Sequence, residues 1–148
     1  MLGPAYATPE VLKMAGLKMS DISVFEYHEA FAGQLLSNMK AMESDWFCTN
    51  VMGLSGKIGS IPIEKLNNWG GSLSIGNFSI VYFSSFAAVC LHFFLLSGHP
   101  FGATGVRLAM HTANRLIKED GQFGMIAACA AGGQGVGMIL ERYPGAKV

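Results

Sequence analysis

The chain has 148 residues, with ten basic and ten acidic side chains and a formal net charge of zero, a length that suits one domain with a single sizeable core. Only 14% of residues are charged, against about 25% in an average globular domain, while 51% are hydrophobic and the mean hydropathy is +0.36. A disordered tail is thereby excluded, and the zero net charge removes any electrostatic case for nucleic acid; a folded chain this poor in charge either enters a membrane or covers its surface with something else.

Cys48, Cys90 and Cys129 are odd in number and widely spaced, which fits neither a disulfide-stapled secreted domain nor paired zinc ligands, so no metal is expected and a reducing compartment is. The opening residues contain neither a basic stretch followed by an apolar one nor an arginine-rich run, and so read as no targeting peptide.

In chain order, Thr8-Pro9 predicts the start of a first helix and Gly16 its end, since threonine caps, proline suits the first turn and glycine suits the C-cap. Residues 22–27 alternate apolar and polar, as a half-buried strand does, and run into His28. Phe31, Leu35, Met39 and Met42 have the spacing of a second helix, to which residues 43–47 add a turn. Residues 52–74 are rich in glycine, asparagine and proline, a loop pinned by Ile61, Ile63, Leu66 and Trp69. A third helix is expected from Thr104 to Gly121, carrying Leu108, His111, Leu116 and Ile117. Two short strands, 123–128 and 136–141, then flank a glycine turn.

Residues 77–97 stand apart: 21 residues with no formal charge, five of them phenylalanine. That length meets the rough threshold of about 20 for a membrane span, but four serines, Asn77 and His92 argue against one, and neither flank supplies orienting basic residues.

His28 at a strand-to-helix junction, His99 before a helix and Cys129 at a glycine turn occupy comparable places. In α/β architecture such junctions gather at the carboxyl edge of the sheet, where ligands bind. A thiol and an imidazole can exchange a proton near neutral pH, and the N–H groups of a glycine turn can stabilise an oxyanion. Read by themselves, the same residues also suit hydrogen-bonded core histidines and a small buried thiol. The run 132–137 lacks the last glycine of GxGxxG, which excludes a dinucleotide loop.

Taken together, His28-Glu29-Ala30-Phe31, Asn68-Trp69-Gly70-Gly71-Ser72, His99-Pro100-Phe101-Gly102-Ala103-Thr104-Gly105 and Cys129-Ala130-Ala131-Gly132-Gly133-Gln134-Gly135 resemble, in order, the motifs of the C-terminal half of the thiolase family. The HEAF wording is similar to the mitochondrial 3-ketoacyl-CoA thiolases of fatty-acid β-oxidation that assemble with an α subunit. The resemblance implies an α/β fold over residues 1–148, a thiolase-like C-terminal half-domain with helices packed on a mixed sheet, lacking its opening strand. It implies acyl transfer from a 3-ketoacyl-CoA to coenzyme A as co-substrate, with no other cofactor, in homodimers and in the mitochondrion, at the matrix or inner membrane. In that scheme His99 activates the nucleophilic cysteine, Cys129 is the acid and base, and His28 with the backbone of Ala131 and Gly132 forms oxyanion sites.

Two departures accompany the resemblance. The family's nucleophilic cysteine lies in its N-terminal half, and none of Cys48, Cys90 and Cys129 corresponds to it, so the isolated chain is expected to be inactive without that missing half. Residues 77–98 also separate Gly76 from His99 by 22 residues where the family joins the two motifs directly. This apolar insertion reads as foreign to the fold, through a retained intron or an equivalent gene-model error. The alternative to a thiolase fragment is a membrane-tethered, non-enzymatic interaction module that uses residues 77–97 as its anchor.

Overall fold

The computed structural model describes residues 1–76, 99 and 101–146, so the apolar segment 77–98, with Cys90 and the expected insertion or membrane anchor, lies outside the described residues. No helix among the described residues is long and apolar enough to cross a membrane.

Helix α1 (Gly3–Ala15) leads through a short 3-10 turn to strand β1 (Ile22–Tyr27), then to α2 (Ala32–Glu43) and α3 (Asp45–Asn50). A largely irregular segment brings the chain to α4 (Ser72–Gly76); α5 (Thr104–Lys118), β2 (Phe123–Ala130) and β3 (Gln134–Glu141) complete the order. The three strands form one mixed sheet in the order β1-β2-β3, with β1 parallel to β2 and β2 antiparallel to β3. Together with the helices around it, this is the mixed α/β arrangement expected.

Helix α1 starts five residues before Thr8-Pro9. Pro4 sits in its first turn, and the N–H of Ala5 is capped from another helix, by Asn38 Oδ1 of α2 at 3.0 Å. Thr8 lies inside the helix, its hydroxyl bonded to Pro4 O and Tyr27 Oη. Gly16 ends the helix in the left-handed region, φ 69°, as expected of a C-cap glycine.

Strand β1 has the expected bounds but is not half-buried, for every residue except Ser23 is buried. Its odd positions Phe25 and Tyr27, with Met125 and Ala127 of β2, pack beneath α1 and α2. Beyond the register shift after Ile22, the even positions face α5, where Glu26 meets Arg115 Nη1 at 2.7 Å. The alternation of apolar and polar residues marks a buried ion pair, not a wet face. Close approach of α5 is allowed by Gly124, since a Cβ there would run into the methyl group of Thr112.

Phe31 is exposed at the N-cap of α2, although Met39 and Met42 are buried. Residues 45–50 form a separate helix because the Ser44 side chain accepts from Phe47 N and restarts the chain. Ile61 is buried as expected of the packed loop, whereas Ile63 and Trp69 are exposed. Helix α5 ends at Lys118, with Gly121 N bonded back to Leu116 O. Strands β2 and β3 extend two residues further than expected at the glycine end, reducing the turn to Ala131, Gly132 and Gly133.

Candidate active site

Strand β1 delivers His28 to the carboxyl edge of the sheet. Its backbone N–H donates to Ala127 O of β2 at 2.8 Å, prolonging the parallel ladder by one step, and the residue is 2% exposed. The His99 ring lies against it, with ring centroids 4.3 Å apart and planes at 40°. Two residues 71 positions apart in the sequence thus form one imidazole pair.

The pair is braced from the start of α4 and from the start of α5. Ser72 Oγ lies 2.8 Å from His28 Nδ1 and also accepts from Arg107 Nη2 at 2.8 Å. Thr104 Oγ1, at the first turn of α5, lies 2.7 Å from His99 Nδ1. Glu29 ties the strand end to the glycine motif, accepting from Asn67 Nδ2 at 2.7 Å and from Leu73 N at 3.1 Å. Gly71 leaves room for the Glu29 carboxylate, which a Cβ there would displace. Asn67, in the left-handed region at φ 48°, completes the brace by pairing both amide atoms with the backbone of Tyr27.

Burial first, then electrostatic interaction with His99 and Arg107, lowers the His28 pKa from 6.5 to about 4. His28 is therefore neutral at physiological pH, a form in which one ring nitrogen donates and the other accepts. Burial also lowers the Arg107 pKa, and its Nε and Nη1 are buried without hydrogen-bond partners among the described residues. His111, one helical turn on, faces Glu26 Oε2 at 3.8 Å beneath the Trp69 ring, with its pKa lowered by burial and by Arg107 and Arg115.

Cys129 stands at the same carboxyl edge. It lies within β2, opposite Gly135, not in the turn itself, and is a half-buried free thiol. Two residues beyond Ala127, it is about 7 Å further along the strand. By alternation it continues the Met125–Ala127 row on the α1 side, while His28 joins Glu26 and Arg107 on the α5 side. The two rows meet where the strands end. Ala131 and Gly132 form the exposed turn beyond them, with Gly132 and Gly133 at φ 86° and 80°. No group of three or more metal-binding side chains occurs among the described residues.

Ser72 and Thr104 belong to motifs read from the sequence, whereas Arg107 belongs to none. Helical spacing is the signal that identifies it, since positions 104, 107, 108 and 111 share one face of α5.

The family model described as "Thiolase, C-terminal domain" matches residues 1–78 and 95–142. The chain is 58% identical over 144 residues to the mitochondrial trifunctional enzyme subunit beta of Bos taurus, and 54% identical over 143 residues to a probable 3-ketoacyl-CoA thiolase of Caenorhabditis elegans. Each alignment takes in 97% of this chain but only 26% and 27% of the relative, so the chain spans about a quarter of their length. Among solved structures, an acetyl-CoA acetyltransferase from Syntrophomonas wolfei superposes with a TM-score of 0.67 at 27% identity, covering 96% of this chain and 27% of that one. With the model matched across most of its length, the chain belongs to the thiolase C-terminal domain family.

Proposed function

We propose that this chain supplies the proton-handling and oxyanion-binding part of an acetyl-CoA C-acyltransferase, a 3-ketoacyl-CoA thiolase of mitochondrial fatty-acid β-oxidation. The observation that carries the reading is the His28–His99 ring pair, 4.3 Å apart at the sheet edge that also holds Cys129. The name of the worm relative supports the 3-ketoacyl-CoA chemistry, and that of the cow relative the mitochondrial setting.

The nucleophilic cysteine belongs to the part of a thiolase outside these 148 residues. His99 takes its proton, and the thiolate adds to the 3-keto carbon of the substrate. Negative charge gathers on the substrate oxygen, where His28, neutral and braced, donates a hydrogen bond without reorganising. The C2–C3 bond then breaks with its electron pair on C2. Cys129 gives C2 its thiol proton, and acetyl-CoA leaves while the shortened acyl group remains as a thioester on the nucleophile. The Cys129 thiolate next takes the proton of an incoming coenzyme A thiol, whose sulfur attacks the thioester and carries the acyl group away. The nucleophilic cysteine leaves as a thiolate that recovers its proton from His99. The N–H of Ala131, with the adjoining Gly132, cradles the oxygen in this second stage. Since His28 and Cys129 stand in rows on opposite sides of the sheet, oxygen cradle and proton donor approach the reacting carbons from two directions.

The partners follow from this reading: the remaining portion of a thiolase, a second copy as in the family's homodimers, and an α subunit. Residues 77–98 are an insertion foreign to the fold, a reading supported by the family match stopping at 78 and resuming at 95. Transcripts that skip the codons between Gly76 and His99 are expected; a message that retains them in most copies contradicts the insertion reading. For the activity, the chain alone should leave a 3-ketoacyl-CoA uncleaved, and adding the N-terminal half of a thiolase should restore coenzyme A-dependent cleavage. A well-assembled pair without activity contradicts the proposal.

A further inference from the structure

We propose that Arg107 and Ser72 are positioning residues that hold His28 as the neutral tautomer with its proton on Nε2. The proposal deepens the reading of His28 as an oxygen-binding donor and rests on it.

The direction of the hydrogen-bond chain comes from its first member. A guanidinium only donates, so the 2.8 Å contact from Arg107 Nη2 occupies a lone pair of Ser72 Oγ. Among the described residues the other hydrogen-bond neighbour of that oxygen is His28 Nδ1, at 2.8 Å. If Nδ1 carried the ring proton, Ser72 would accept twice and its own hydrogen would be buried without a partner, because Ser72 is only 7% exposed. If Nδ1 accepts, every group in the chain is paired. The neutral ring then bears its hydrogen on Nε2, the nitrogen Ser72 does not occupy.

Arg107 does not sit there for its own satisfaction, since Nε and Nη1 are buried without partners among the described residues. What it secures is the orientation of one hydroxyl. Protonation of His28 would require a second hydrogen on Nδ1, directed at the hydroxyl hydrogen Arg107 has turned towards it. The same contact that fixes the tautomer therefore resists the imidazolium, in accord with the low His28 pKa of about 4.

The test is a two-bond proton–nitrogen correlation spectrum of the full chain labelled with 15N-histidine, near neutral pH. The wild-type chain should show His28 with the Nε2–H pattern. Ser72→Ala and Arg107→Met should each shift the ratio of tautomers towards Nδ1–H by roughly 2- to 10-fold, and Ser72→Thr, which keeps a hydroxyl, should restore the wild-type ratio. An Nδ1–H pattern in the wild type overturns the proposal whatever the variants do. So does an unchanged ratio in Ser72→Ala with the β1–β2 amide signals in place. Failure of the catalytic reading is a separate result: a reassembled enzyme indifferent to His28→Ala, with the Nε2–H pattern intact.

Discussion

Helix α5 carries two arginines on the sheet side, and they live in opposite circumstances. Arg115 is fully buried, yet its guanidinium meets Glu26 at 2.7 Å, Glu119 at 2.8 and 3.1 Å, and the carbonyls of Phe25 and Lys65. Burial works against its charge, but the hydrogen bonds to Glu119 and Glu26 outweigh it and raise its pKa. Arg107, eight residues earlier, has a hydrogen bond to Ser72 and two orphaned nitrogens, and burial lowers its pKa. Fully partnered charge bolts the helix to the sheet, whereas under-partnered charge marks the end of the molecule arranged around His28.

The largest expected effect breaks the comparison at its stable end. Arg115→Ala leaves the Glu26 carboxylate buried beside an empty space and should cost about 3–5 kcal/mol in urea unfolding. Arg107→Ala should cost no more than about 1.5 kcal/mol, and equal losses at the two positions would erase the distinction.

At the other end, His28→Ala in the reassembled enzyme should lower kcat by about 10²–10³, the usual effect of removing one oxyanion donor. Unfolding of the chain itself should move little by comparison.

Acid sharpens the same contrast. The His28 pKa falls from 6.5 to about 4 in the fold, through burial first and then His99 and Arg107, with Glu29 opposing. A group depressed in this way binds more protons unfolded than folded, so its stabilisation is complete above pH 6.5 and is lost as pH falls towards 4. The loss should be on the order of 2 kcal/mol, discounted for a site at the open sheet edge. Burial drives the Glu26 pKa upward despite Arg115 and contributes in the opposite sense. Urea unfolding at several pH values should show a slope that His28→Gln flattens.

The smallest effect belongs to the α1 side. Thr8→Val removes the 2.6 Å contact with Tyr27 Oη but leaves that hydroxyl near Met125 Sδ, and should cost about 1 kcal/mol.

What the sequence made legible was local. Periodicity gave β1 its bounds, the C-cap glycine located the end of α1, and the motifs named both histidines before their rings were seen in contact. What it concealed depends on residues far apart in the chain. The start of α1 is set by Asn38, 33 residues away, not by a neighbouring threonine. Glu26 reads as a solvent-facing residue until Arg115, 89 positions later, is brought against it. Arg107 belongs to no recognised cluster, and its meaning appears only when Ser72 and His28 close the hydrogen-bond chain.

Proton exchange at the C2 methyl of acetyl-CoA tests the assigned chemistry most directly, because that carbon receives the proton attributed to Cys129. In deuterated water the reassembled enzyme should wash deuterium into the acetyl group, and Cys129→Ala should slow the exchange at least about 100-fold. Exchange that continues undiminished without the Cys129 thiol would contradict the account.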